Sequence, residues 1–234
     1  METPILQLQP TTIHVPGKAL GRNRLLNWHQ FAHLTRDDGT PIVTTGWDTN
    51  LPTCLNQLKL GSCTGNAWAH IASSKPNTDK CTEANAVAIY SKATVLDDAG
   101  GIVGHYPPDD TGSTGYFAAL AAIQLGFLNG TPTMPVGLTA VLQLLQSRPG
   151  AIGMDWYEGC DNPDGNGRVK LTGSIRGGHE IALIAVDMEN RMVVFQNSWG
   201  AEYGVKYRNR DGCFMMSLDD LELLFASGAD AVFI

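Results

Sequence analysis

The sequence is poor in charged residues and has no long apolar run. Only 17% of its 234 residues are charged and 43% are hydrophobic, which is enough apolar surface to offset the chain entropy lost on folding. No apolar stretch approaches the ~20 residues that cross a bilayer. Residues 1–10 have neither the basic start nor the apolar core of a signal peptide. We therefore expect a folded protein with no membrane partner, in the cytoplasm or associated with a virion.

Basic residues are scarce too. The chain has 16 Lys and Arg against 23 Asp and Glu, a formal net charge of −7, and no run of basic residues. Because proteins that bind nucleic acids usually carry a basic surface, we expect no nucleic-acid partner.

Patterns typical of metal sites are also missing. There is no CxxC pair and no His at the spacing of a structural zinc site. Residues 161–167 resemble a calcium loop, but Pro163 takes a ligand position and no Glu stands at the twelfth position. Since Asn, Asp, Pro and Gly are ordinary turn residues, we expect a turn here, with no metal ion and no cofactor.

Cysteine is rare, and the number of cysteines is odd. Because there are five, at least one thiol cannot belong to an intramolecular disulfide. Pairing among Cys54, Cys81, Cys160 and Cys213 stays open, although the missing signal peptide favours reduced thiols. The remaining cysteine, Cys63, is the one that we expect to be free.

The pattern of apolar residues divides the chain into three parts. Residues 1–42 are irregular and are interpreted as an N-terminal arm with one possible short helix near 25–34. Residues 43–234 are expected to form one domain. Its first part, about 55–148, has helical periodicity, whereas about 149–234 contains short segments rich in Val, Ile and aromatic residues.

Helices followed by strands indicate an α+β protein whose two halves pack as different lobes, with a ligand cleft between them. The first predicted helix begins at Cys63. The other predicted helices cover 83–96, 116–125, 138–147 and 218–226, and the predicted strands cover 151–157, 180–186, 191–196, 212–216 and 229–234.

Cys63 stands where a reactive cysteine is expected. It opens a helix, where the positive end of the helix dipole favours a thiolate, and Gly61 and Ser62 before it allow a tight turn. A single Cys is more often an inert buried residue, so a base and an orienting group must be found elsewhere in the chain.

His179 and Asn197 supply candidates for both roles. His179 precedes one predicted strand and Asn197 follows the next, so antiparallel pairing of the two strands would bring their side chains together. Cys, His and Asn then form a nucleophile, a base and an orienting group.

Three separated motifs resemble those of the papain-like cysteine peptidases, over roughly residue 43 to the C-terminus. This resemblance implies a papain-like two-lobe fold, with a helical N-terminal lobe, an antiparallel β-barrel-like C-terminal lobe and an active site in the cleft. The motifs are Gln57-x5-Cys63, Gly177-Gly178-His179 and Asn197-Ser198-Trp199-Gly200.

The resemblance also implies a role for each matching residue. Cys63 would be the thiolate nucleophile, His179 its imidazolium partner and Asn197 the group that orients the ring. Gln57 would donate to the oxyanion hole, and Trp199 would shield the His–Asn hydrogen bond from water. The substrate, a protein or peptide, would lie along the glycine loop from Gly112 to Gly115, Gly178 and Trp199.

The chain departs from the family pattern next to the nucleophile. Leu60 replaces a half-cystine, and Thr64 replaces a Trp, which leaves Trp68 to pack beneath the site. Tyr203 replaces another Trp. Glu180 is expected to point away from the cleft, because neighbouring residues alternate along a strand. The sequence Leu-Gly-Ser-Cys-Thr-Gly-Asn-Ala resembles bacterial and bacteriophage members.

Two alternatives to a peptidase stay open. One is a catalytically idle papain fold that serves as a structural or binding protein, for instance in a virion, with assembly proteins as partners. The other is a thiol-dependent amidase or acyltransferase, which would use the same nucleophile. The intact Gln57, Cys63, His179 and Asn197 favour catalysis.

Overall fold

The structure is a computed structural model that describes residues 39–99, 101 and 103–234. Most of the predicted arm over residues 1–42, including its possible helix near 25–34, lies outside the described residues. No helix in the described part of the chain is long and apolar enough to span a membrane.

Helices dominate the first half of the described chain, as predicted. Two of the helices, one in each half of the chain, begin at a side-chain cap. Thr114 accepts a hydrogen bond from the Phe117 N–H and Ser217 accepts one from the Asp220 N–H, so two side chains satisfy backbone donors that a helix start leaves free. The helices are α1 (Cys63–Ala72), α2 (Glu83–Ala99), α3 (Gly115–Gln124), α4 (Leu138–Leu145) and α5 (Leu218–Ala226).

The second half forms one antiparallel sheet in the order β5-β6-β4-β3-β2-β7, and β1 pairs with β3 outside this order. The α+β class is confirmed, but the sheet is not closed into a barrel: β5 and β7 stand at its two ends. Its strands are β1 (Thr45–Gly46), β2 (Gly150–Tyr157), β3 (Ile175–Asp187), β4 (Met192–Gln196), β5 (Val205–Tyr207), β6 (Arg210–Ser217) and β7 (Asp230–Val232).

Small side chains let the helices approach this sheet closely. Ala118, Ala122, Ala182 and Ala185 are fully buried in one hydrophobic cluster that contains residues of α1, α2, α3 and the central strands. Each Å² of apolar surface that is buried in this contact contributes about 25 cal/mol to the stability of the fold. The cluster fixes the helix starts against the strands that carry the candidate site.

The main difference from the predicted elements lies in β3. It begins at Ile175, five residues before the predicted start at 180, so His179 lies inside the strand, opposite Met154 of β2. Glycine at 177 and 178 hid this extension, because glycine is depleted in strands.

Candidate active site

Cys63 is the first residue of α1 and lines a cleft of about 460 Å³. The helix is held in place by close packing: a Cβ atom on Gly65 would lie 2.2 Å from the Ala86 carbonyl oxygen of α2. Trp68 is fully buried one turn on, and its indole N–H donates to the Gly115 carbonyl at 2.8 Å. The expected packing of Trp68 beneath the site is confirmed.

All five cysteines are free thiols in this structure. Cys54, Cys81, Cys160 and Cys213 are buried, whereas Cys63 is partly exposed to the cleft.

His179 is held by Asn197, as the two predicted strands require. The distance between His179 Nε2 and Asn197 Oδ1 is 2.7 Å, and the same oxygen accepts the Ser198 backbone N–H at 2.8 Å. Because a backbone N–H can only donate, the shared atom must be the amide oxygen, so Nε2 carries a proton and donates. The Nδ1 nitrogen of the ring is then the one left for the cleft, which His179 lines together with Cys63.

Aromatic rings surround this histidine. The ring centroids of Trp156 and Trp199 lie 4.8 Å and 5.2 Å from that of His179, and Tyr203 packs edge-on against Trp199 at 5.1 Å. Trp199 lines a separate depression of about 170 Å³ beside His179, and it is not among the residues that line the main cleft. It therefore packs against the His179 ring outside the main cleft.

Gln57 connects the two halves of the site. Its Nε2 donates to the Leu60 carbonyl at 2.9 Å, and its Oε1 accepts the Ser198 hydroxyl at 2.6 Å. Its backbone N–H also donates to the Ser198 carbonyl at 2.9 Å. The side-chain amide is thus held in a fixed orientation on the cleft wall, and one of its two N–H bonds remains for another acceptor.

Burial acts on the thiol and the imidazole in opposite directions. Burial raises the pKa of Cys63 to about 11 and lowers the pKa of His179 to about 4, against the raising effect of the Asn197 hydrogen bond. Each group by itself therefore favours its uncharged form. Transfer of a proton from the Cys63 sulfur to the His179 ring leaves the net charge of the pair unchanged. The pKa shifts of the two separate groups therefore do not decide whether the pair is charged, and the expected thiolate–imidazolium pair stays a prediction.

The remaining predicted positions lie where a substrate could contact them. Gly112, Gly115 and Gly178 line the same cleft as Cys63. At Gly112 the backbone takes a φ of +71°, which favours glycine. The structure thus brings Gln57, Cys63, His179 and the three glycines to one cleft, with Asn197 behind His179.

Sequence reasoning missed a network that holds the loop before Cys63. The Gly61 N–H donates to Asp110 at 2.9 Å, and the Tyr90 hydroxyl donates to the same carboxylate at 2.5 Å. The hydroxyl oxygen of Tyr90 accepts the Gly112 N–H at 3.0 Å. These bonds join the loop before Cys63 to the glycine loop, and the turn-like Asp110-Thr-Gly sequence was the available signal.

The expectation for Glu180 is wrong. Its carboxyl group lies over the start of α3 and lines the same cleft as His179. Strand alternation places the two side chains on opposite faces of β3, yet both residues line this cleft. Asp230, at the start of β7, also lines it and was not foreseen.

Comparison with solved structures identifies the fold as that of the papain-like cysteine proteases. The chain is similar to xylellain, a cysteine protease from Xylella fastidiosa, with a TM-score of 0.56 and 18% identity over 81% of this chain and 86% of that one. It is also similar to bromelain from Ananas comosus, with a TM-score of 0.53 and 14% identity over 77% and 92% of the two chains. A Carica candamarcensis cysteine protease is similar too, with a TM-score of 0.52 and 13% identity over 80% of this chain and 97% of that one.

No protein-family model and no curated protein matches the sequence. At these identities the likeness establishes the fold, and the chemistry must be argued from the residues in the cleft.

Proposed function

We propose that this protein is a cysteine peptidase that hydrolyses peptide bonds through Cys63, His179 and Asn197. The observation that carries the proposal is the ring orientation of His179: Asn197 holds Nε2 at 2.7 Å, which leaves Nδ1 for a cleft that Cys63 also lines. A nucleophile and a base that line one cleft, with an orienting group behind the base, are the arrangement that acyl transfer requires.

Acylation begins with the thiol proton on the His179 ring. The Cys63 thiolate attacks the carbonyl carbon of the substrate, and a C–S bond forms while the carbonyl oxygen takes up negative charge. The Cys63 backbone N–H and the second N–H of Gln57 stabilise that oxygen. The C–N bond then breaks, and His179 gives its proton to the departing amine, which leaves a thioester on Cys63.

Deacylation runs through the same groups. His179 takes a proton from water, the oxygen attacks the thioester carbonyl, and the C–S bond breaks as the proton returns to sulfur. Asn197 keeps the ring in one orientation through both steps, and the rings of Trp156 and Trp199 keep water away from the His179–Asn197 hydrogen bond, where a low dielectric strengthens it.

Covalent labelling by the epoxysuccinyl inhibitor E-64 tests this proposal. Two of the similar proteases are described in complex with it. We expect one adduct per chain, located on Cys63 by peptide mapping, and none in Cys63→Ala, while the four buried cysteines stay unmodified.

Hydrolysis of a peptide library by the same two proteins separates the alternatives. Labelling together with cleavage that is lost in Cys63→Ala supports a peptidase. Labelling without cleavage would point to an amidase or acyltransferase acting on another substrate. A folded protein that is neither labelled nor active would contradict the proposal and favour a binding role.

A further inference from the structure

Two carboxyl groups that the proposed mechanism does not use lie in the cleft. Glu180, on β3, is only 4% exposed, and Asp230, on β7, is half-buried. Both line the cleft together with Cys63 and His179. Buried carboxyl groups are rare unless they are paired, so these two need an explanation.

Glycine makes the space that the two groups occupy. A Cβ atom on Gly115 would lie 2.2 Å from Glu180 Oε1. A Cβ atom on Gly153 would lie 2.3 Å from Asp230 Oδ1 and 3.0 Å from Glu180 Oε2. The separation of these two carboxyl oxygens therefore cannot exceed the sum of the two distances. Any side chain at either glycine would collide with a carboxyl group.

The acidic pair has no partner of opposite charge. Glu180 Oε1 is buried without a hydrogen-bond partner, and in the described part of the chain neither residue forms an ion pair. The described lining of the cleft contains no Lys or Arg but a third carboxyl group, that of the exposed Asp155. The carboxyl groups of the cleft are therefore either ionised, without a cation among the described lining residues, or protonated.

Organic cations fit this pair better than a metal ion does. No group of three metal-ligating side chains occurs among the described residues, and two carboxyl groups alone make a poor cage for a divalent ion. A Lys or Arg side chain brings N–H donors on a long apolar stem, and the cleft is open to a chain that runs past Cys63.

We propose that Glu180 and Asp230 form a subsite that receives a Lys or Arg side chain of the substrate. The inference rests on the proposed function and names its substrate class: peptides with a basic residue at a fixed distance from the cleaved bond. Burial and the neighbouring Asp230 raise the pKa of Glu180 well above its ordinary value. When the cation enters, Glu180 loses its proton to solvent and accepts hydrogen bonds from the bound group.

A peptide library read by mass spectrometry tests the subsite. In the wild-type protein we expect Lys and Arg to be enriched at one position relative to the cleaved bond. In Glu180→Gln the ratio of kcat/KM for matched Lys and norleucine peptides should fall at least about 30-fold, because truncating one partner of a buried charge pair typically costs that much or more. Asp230→Asn serves as a second, independent variant.

Glu202→Gln provides the matched control. It makes the same carboxyl-to-amide change on an exposed residue outside the cleft, and it should keep the wild-type ratio. Thermal unfolding of each variant verifies that the fold is retained. Equal use of Lys and norleucine peptides by the wild-type protein would overturn the subsite and leave the peptidase proposal standing.

A binding measurement separates the subsite from catalysis. The same library is captured on the Cys63→Ala protein and on a Cys63→Ala, Glu180→Gln double variant. We expect Lys and Arg peptides to be enriched only on the first. If the wild-type protein cleaves nothing but this enrichment is seen, the peptidase proposal fails and the subsite stands. Capture without enrichment would overturn the subsite.

Discussion

His179 and Glu180 are neighbours on one strand, and their surroundings differ in kind. His179 lies among the rings of Trp156 and Trp199 and has a fixed partner in Asn197. Glu180 lies against glycine and another acid, and Glu180 Oε1 has no partner. Burial favours the uncharged form of both residues.

The difference between them is whether the partner is built into the protein. A group that must keep one orientation through a reaction needs a permanent partner, and Asn197 provides it. A group that must recognise something that comes and goes needs an unfilled hydrogen-bonding capacity, which is costly in the free protein. In the proposed subsite, the free-energy cost of the unpartnered Glu180 oxygen is offset when a substrate cation donates hydrogen bonds to it.

Replacing His179 tests the first half of the comparison and should have the largest effect. We expect His179→Gln to lower kcat/KM for every peptide by about 10²–10⁴-fold, since general acid–base catalysis contributes that much. Without the imidazole, the Cys63 thiol must ionise alone, and burial raises its pKa to about 11.

The rate of Cys63 alkylation by iodoacetamide then reports on the ion pair. In His179→Gln it should rise about tenfold per pH unit between pH 7 and 10, because the raised pKa makes thiolate scarce until the pH nears 11. The wild-type rate should already be high and flat near pH 6. If the wild-type protein showed the same rising profile, the thiolate–imidazolium pair would be absent.

Gln57 is a second group with built-in partners, and its loss should have an intermediate effect. We expect Gln57→Ala to lower kcat by about 10²–10³-fold with little change in KM, because an oxyanion-hole donor acts mainly in the transition state. Ser198→Ala, which removes only the 2.6 Å bond to Gln57 Oε1, should cost less. An unchanged kcat in Gln57→Ala would exclude Gln57 from the site.

The smallest effect is expected in the free energy of unfolding, to which the unpartnered Glu180 should make a pH-dependent contribution. Its pKa in the folded protein is raised by burial and by Asp230, so the unfolded chain releases this proton first as the pH rises. The stability contributed by Glu180 is therefore present below its ordinary pKa near 4.5 and is lost as the pH rises through the folded value.

Melting curves at pH 4 and pH 8 check this sign. The Tm of Glu180→Gln relative to wild type should increase between these pH values by roughly 2–4 °C, which corresponds to about 1 kcal/mol in a chain of this size. Cys63 and Asp230 are the titratable neighbours of Glu180, so Cys63→Ala/Glu180→Gln and Asp230→Asn are measured in parallel. The exposed Glu202→Gln should show no such trend, and an equal trend there would refute the assignment.

Local signals in the sequence were sufficient for the starts of two helices and for the pairing of two strands. The helix that starts at Cys63 and the helix capped by Ser217 were predicted at their observed starts, since capping and periodicity are local. The meeting of His179 and Asn197 followed from pairing two successive strands. The early start of β3 was missed, because tertiary pairing with β2 overrides the weak strand preference of Gly177 and Gly178.

Glu180 and Asp230 lay beyond such reasoning. Alternation along β3 predicts the face of a strand correctly, but it does not tell which elements lie over that face. The start of α3 and β7 are brought there only by the complete fold, 65 residues before and 50 residues after Glu180 in the numbering. The glycines at 115 and 153 gave no signal until their neighbours were known.

The bond between Ser198 and Gln57 joins positions 141 residues apart, and this separation has a consequence during synthesis. A ribosome releases Cys63 and Gln57 long before His179, Asn197 and Ser198. A nascent chain therefore carries the Cys63 thiol without its proposed base, and the Gln57 side chain lacks the Ser198 hydroxyl that orients it. Under the proposed function the site would be complete only when the segment from His179 to Ser198 has emerged and docked, so the order of translation would itself delay proteolysis.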